Sequence, residues 1–168
     1  MRLTSDASRT PGAGGRWKPY AAAGAAVAAA AAVGTIPVDP ESSWYRGLSK
    51  PAWQPPPWSF GVVWTPLYAS LAFAAGHALG IAKGADQRRL AARFGVNLAL
   101  NAGWTWLFFR CRSPHAGLAA TLLLDVSNVA LLRRTSRVDP AAARALVPYA
   151  TWCAFATALN GAVARRNT

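Results

Sequence analysis

The stretch that decides the reading runs from Trp44 to Trp64, WYRGLSKPAWQPPPWSFGVVW. It carries four tryptophans (Trp44, Trp53, Trp58, Trp64) and four prolines (Pro51, Pro55, Pro56, Pro57), with Pro66 just beyond. Proline removes a backbone donor and clashes with the preceding turn, so the stretch is expected not to be helical. Four indoles are too much aromatic surface to leave loose in water. The expectation is a folded cover, its amphipathic rings held at a membrane surface or over a pocket.

Working outward, apolar residues make up 53% of the chain and charged residues 14%, against roughly 25% in an ordinary soluble domain. The charges cluster between long apolar runs, which is the pattern of a polytopic membrane protein. Five runs stand out: 19–38, 61–82, 94–109, 116–132 and 145–164. Each is close to the roughly 20 residues needed to cross a bilayer, the third being the shortest. The expected architecture is all-α: an integral membrane bundle of five transmembrane helices. Residues 1–18 read as a disordered basic tail ahead of an uncleaved first span, and 19–167 as a single domain.

The net charge of +12 would suggest nucleic acid in a soluble chain. Here Lys and Arg gather in short loops, where they anchor helix ends and meet anionic headgroups, so no nucleic-acid partner is expected. The tail, the loop near Arg88 and the loop near Arg134 together hold twice as many Lys and Arg as the opposite side. That bias puts the N-terminus inside and the Trp/Pro stretch outside. Cys111 and Cys153 form no CxxC pattern, so neither a disulfide framework nor a metal site is indicated.

Within the runs, Asn97, Asn101, Trp104 and Phe108 fall on one helical face. Amides are costly against lipid and should point inward, Asn97 towards neighbouring helices and Asn101 towards a cavity. Trp64 and Tyr68 are an i, i+4 pair. Tyr149, Trp152, Ala156 and Asn160 share a side of the last run, with Phe155 close by. Such stripes are more often core than binding site, yet three helices each offering Trp beside small or amide residues fit a flat, apolar ligand. Asp125 is either a functional intramembrane acid or half of a satisfied pair with Asn128, one turn away. His77 is a packing residue or, less favoured, an axial haem ligand. Gly76, Gly80 and Gly84 repeat every four residues and would let another helix approach, within the chain or across a dimer. No GxSxG, HExxH, P-loop or GxGxxG is present, so ordinary hydrolase and nucleotide chemistries have no support.

Three motifs in order resemble those of the TspO family of tryptophan-rich sensory and translocator proteins (peripheral benzodiazepine receptors). They are WYRGLSKPAWQPPPWSFGVVWTPLY from Trp44, NLALNAGWTWLFF from Asn97 and PYATWCAFATALN from Pro148. The resemblance implies a five-helix bundle, often dimeric, with the loop between helices one and two folded as a lid over a pocket. It implies binding of porphyrins, haem and protoporphyrin among them, as ligands rather than obligatory cofactors, in transport or sensing. The ligand residues it implies are Trp44, Tyr45, Trp64, Asn101, Trp104, Trp152, Phe155 and Ala156; Trp53 of the aromatic cover and Tyr68 and Phe108 from the helical spacing above complete the candidate set. An alternative implied by the family is light-dependent porphyrin degradation, with Trp44, Trp64 and Trp152 as reactants. The sterol pattern of animal members is missing, since no base follows Tyr149 until Arg165. The Ala- and Arg-rich composition suggests a bacterial plasma membrane.

Overall fold

A computed structural model describes residues 17–167, so all but the last two residues of the expected basic tail lie outside the described part. The described residues are mostly helical, without a strand, in six α-helices. They are α1 (Lys18–Thr35), the short α2 (Ser43–Gly47), α3 (Pro57–Ile81), α4 (Gly84–Thr105), α5 (Pro114–Ser136) and α6 (Pro140–Arg166). A π-helical turn, Trp106–Arg110, continues α4 and closes with Cys111 N–H donating to the Trp106 carbonyl at 3.0 Å.

The proline-rich stretch departs from expectation at both ends. Trp44 and Tyr45 lie in α2, whose start is capped by Ser42: its Oγ accepts from Tyr45 N–H at 3.3 Å. Pro57 to Trp64 form the first turns of α3. The reason is that proline at the opening of a helix lacks only a donor that would have no partner there anyway. Pro66 and Pro148 lie inside α3 and α6 without ending them.

The five long helices form a closed ring in the order α1–α3–α6–α5–α4, each packing on its two neighbours. Two of them, α3 and α5, are long and apolar enough by themselves to cross a membrane. The helix α1 is Ala-rich, α4 opens with charged turns, and α6 carries Arg144 near its start and Arg165 and Arg166 at its end. The helix α4 starts ten residues before the expected run, because GADQRRLAAR is made largely of good helix formers that need not be apolar where they leave the bundle.

The interior is sewn by an amide. Asn97, fully buried on α4, donates to Asn128 Oδ1 (2.7 Å) and Ser127 Oγ (3.1 Å) on α5, and accepts from the Tyr149 hydroxyl on α6 (2.9 Å). Asp125 pairs not with Asn128 but with Thr157 on α6, whose hydroxyl donates to Oδ2 at 2.7 Å. His77 is held by packing. Its Nδ1 lies 2.7 Å from the Tyr20 hydroxyl, its Nε2 lies 3.7 Å from Asp139, and its ring stacks on Phe73.

The glycine repeat resolves into different jobs. A Cβ on Gly76 would stand 2.7 Å from the backbone of Tyr20, so this glycine is what lets α1 lie against α3. Gly80 faces Pro19 more loosely. Gly84 is not on that face at all: it opens α4 with a φ of +57°, a left-handed corner suited to glycine.

Candidate functional site

Most of the buried core lies around Leu71, Leu90, Leu131 and Leu146. A second, aromatic cluster gathers Phe108, Leu159 and Val163 with Trp44, Tyr45, Leu48, Phe60, Trp104 and Phe109. Beside it is a cavity of about 350 Å³, within the size range of small-molecule sites. Four of the long helices and the α1–α3 connection line it; α5 does not.

Each wall has a local cause. On α3, Trp64 stacks on Tyr68 one turn later, ring centroids 5.1 Å apart. The Tyr68 hydroxyl donates to Asn101 Oδ1 at 2.9 Å, which fixes the amide of α4 across the cavity. Three residues on, Trp104 tilts against Phe108 at 6.0 Å. The wider π turn lets the adjacent Phe108 and Phe109 both reach the cavity, as π turns often do at ligand sites. Gly117 on α5 makes room for this, since a Cβ there would stand 2.8 Å from Phe108 and 3.0 Å from Asn160 Oδ1.

The α1–α3 connection forms the remaining wall through Val38, Pro40, Tyr45, Leu48, Lys50 and Gln54. It is pinned in three places. The Tyr45 ring packs on Phe109 (5.4 Å) and Trp44 meets Phe108 edge-on (5.5 Å). Lys50 Nζ sits 4.3 Å over the Tyr45 ring and donates to the Tyr45 carbonyl. Asn167, past the end of α6, exchanges two hydrogen bonds with the Ser49 backbone, at 2.9 and 3.0 Å. Burial pushes the Tyr45 phenol above its ordinary value of 10.0, opposed by the smaller effect of the Gln54 amide donating to it at 3.2 Å. The phenol is therefore neutral throughout the physiological range.

Of the residues singled out in the sequence, Tyr45, Trp64, Tyr68, Asn101, Trp104 and Phe108 line this cavity. Trp44 stands behind it, against Phe108. Trp53, Trp152, Phe155 and Ala156 do not line it. Trp152, partly buried against the main core, lies against Phe155 (5.0 Å) and Phe60 (6.2 Å), and Trp53 meets Phe155 edge-on (5.8 Å). Phe60 links that aromatic row to the cavity wall.

Asn160, grouped in the sequence with Tyr149 and Ala156, lines it as well. Residues the sequence reading passed over also line it: Gly34 and Thr35 from α1, Lys50, Gln54, Phe109, and Leu159 from α6. No lining residue is a carboxylate, imidazole or thiol. The polar lining residues include Asn101, Asn160 and Gln54 with their amides, Tyr45, Tyr68, Thr35 and Thr105 with hydroxyls, Trp104 with its indole N–H, and Lys50 with its ammonium, a set suited to hydrogen bonding.

The TspO/MBR family pattern matches residues 22–166. The chain belongs to that family. It is 36% identical to the tryptophan-rich protein TspO of Chlorobaculum tepidum over 134 residues, covering 79% of this chain and 85% of that one. It is 36% identical to the human translocator protein over 127 residues, 74% and 75% of the two chains. Protein CrtK of Rhodobacter capsulatus is 34% identical over 142 residues, 84% and 89% of the two chains.

Proposed function

We propose that this TspO/MBR protein spans a bacterial plasma membrane five times and binds tetrapyrroles in the aromatic cavity, as a receptor or carrier. In this reading α1, α3, α4, α5 and α6 are the spans, the N-terminus is cytoplasmic, and the α1–α3 connection is the lid. One observation carries it: a cavity walled by Trp64, Tyr68, Trp104 and Phe108 around the Asn101 amide, with no carboxylate, imidazole or thiol among its lining residues. Flat aromatic walls give a large apolar macrocycle broad contact, and a few amides set its orientation. Relatives named translocator protein and tryptophan-rich sensory protein support transport or sensing. The homodimer implied by the family resemblance would use a face other than Gly76 and Gly80, which α1 occupies.

The test is titration of the purified protein with protoporphyrin in the dark, followed by tryptophan-fluorescence quenching. Saturation is expected. Trp104→Phe should weaken binding about three- to tenfold, the value of one aromatic contact. Trp58→Phe, a highly exposed ring outside the cavity, should leave binding unchanged. Titration without saturation would remove the tetrapyrrole reading.

A second reading has one observation in its favour: Trp64 is in the wall, where a bound photosensitiser would lie against it. It is light-dependent oxidation of the porphyrin. Loss of the porphyrin spectrum under illumination, abolished by Trp64→Phe with binding retained, would establish it in place of the carrier.

A further inference from the structure

A second concavity, of about 870 Å³, lies on the outside of the ring between α4 and α5. Its mouth is lined by Arg89 and Arg93 of α4, Arg133 and Arg134 of α5, and Arg137 just after it. No lining residue is acidic. Arg134 is tied to Asp86, but among the described residues the other four have no carboxylate within ion-pair distance. Helix polarity explains part of this set only. Cations suit the last turn of α5, whereas Arg89 and Arg93 stand near the N-terminal end of α4, where a helix gives cations no support.

Below the arginines the groove turns apolar, floored by Val96 and Leu100 on one side and Leu123 and Val126 on the other. Val126 is 68% exposed and Leu123 58%, so none of the described residues covers them. Arg89 to Leu100 and Leu123 to Arg134 are each eleven residue steps, about 16 Å along a helix with the arginines included. The hydrocarbon of one leaflet is about 15 Å deep, half the core of a bilayer. An arginine tier with an apolar trough beneath it, together about as deep as one leaflet, fits a phospholipid, its headgroup at the arginines and the upper part of its acyl chains in the trough.

We infer that the α4–α5 groove is a binding site for an anionic phospholipid, its phosphate held by Arg89, Arg93, Arg133 and Arg137 and its chains laid along Val96, Leu100, Leu123 and Val126. Guanidinium forks match phosphate oxygens, and several converging at one depth select a negative headgroup over a zwitterionic one. A second copy of the chain is disfavoured as occupant, because a symmetric contact here would bring two uncompensated arginine tiers together. The inference rests on the membrane-spanning reading above, but not on the identity of the ligand in the aromatic cavity.

The experiment is native mass spectrometry of the full chain released from detergent, with phosphatidylglycerol or phosphatidylcholine added at equal concentration. The expected result is one retained phosphatidylglycerol per chain in preference to phosphatidylcholine. The triple variant Arg93→Gln, Arg133→Gln, Arg137→Gln should weaken retention about a hundredfold, at about fivefold per arginine. Arg88→Gln with Arg144→Gln, outside the groove, should weaken it far less. Val126→Trp, which fills the trough and keeps every charge, should also reduce it.

Equal loss in both arginine variants would overturn the site, as would equal retention of the two lipids. So would a shift in oligomeric state on Val126→Trp with lipid retention intact, which assigns the groove to a second copy. Inorganic phosphate displacing the lipid at equal concentration would overturn the acyl-chain part. Extraction of the chain from membranes by alkaline carbonate would sink the spanning reading and this one together. Failure of lipid selectivity in a carbonate-resistant chain would sink this one alone. Porphyrin titration of the triple variant should match the parent protein.

Discussion

Gly76 and Gly80 are one turn apart on α3 and chemically identical, yet the structure assigns them opposite sensitivities. A methyl on Gly76 collides with the Tyr20 backbone, which cannot rotate away, so α1 must shift bodily. Gly76→Ala should therefore destabilise the bundle by about 1–3 kcal/mol, the usual range for overpacking. At Gly80 the nearest atom to an added Cβ is a Pro19 side-chain carbon at 3.7 Å, an ordinary contact. Gly80→Ala should be neutral or stabilising by up to about 1 kcal/mol, since alanine is the better helix former. Thermal unfolding of the two variants in the same detergent checks both signs. An equal loss in the two would mean that α1 does not pack where the structure places it. The i+4 repeat showed that glycines mattered here. It could not show that one is essential, one permissive and one a corner, because that depends on where α1 lies.

At the scale of elements, α4 is joined to its ring neighbour α5 and, across the bundle, to α6 through one side chain. Asn97 offers its amide nitrogen to α5 and its oxygen to α6, so its removal strands Asn128 and Tyr149 together. Asn97→Ala should cost about 1–3 kcal/mol, the penalty of leaving buried polar groups unpaired. Tyr149→Phe deletes one bond and strands one amide oxygen, and should cost less. Unfolding measured on both singles and the double mutant tests the network: the double should fall well short of the sum of the singles. That amides in an apolar run must face inward was readable from sequence. The partner of Asp125 was not, because an intrahelical neighbour is visible in a sequence and a neighbour on another helix is not. Helix ends were likewise misjudged wherever charged but helix-prone residues extend a span, as at the start of α4. The cavity residues on α3 and α4 were legible through their spacing. Gly34, Thr35 and Gln54 were not, since small or polar residues on an Ala-rich helix or in a loop carry no periodic signal.

Across the whole molecule, three separated pieces of chain meet at one end of the ring, and together they make the topology testable. Asn167 bonds Ser49, which brings the end of α6 to the α1–α3 connection. Phe109 packs on Tyr45, which brings the α4–α5 corner to the same place. An odd number of long helices is what puts the far end of the last one beside the first interhelical segment. If the arginine-rich end is cytoplasmic, this aromatic end faces outward, and it carries a native reporter. Cys111 is exposed at the α4–α5 corner, whereas Cys153, the other cysteine, is buried inside α6. A membrane-impermeant maleimide added to intact spheroplasts should therefore label the wild-type chain, and Cys111→Ser should abolish the label. Inside-out vesicles should label only after detergent is added. Labelling confined to inside-out vesicles would invert the orientation, placing the aromatic cavity on the cytoplasmic side and the arginine groove in the outer leaflet. That outcome would contradict the charge bias directly, because the inner surface would then carry the smaller share of Lys and Arg.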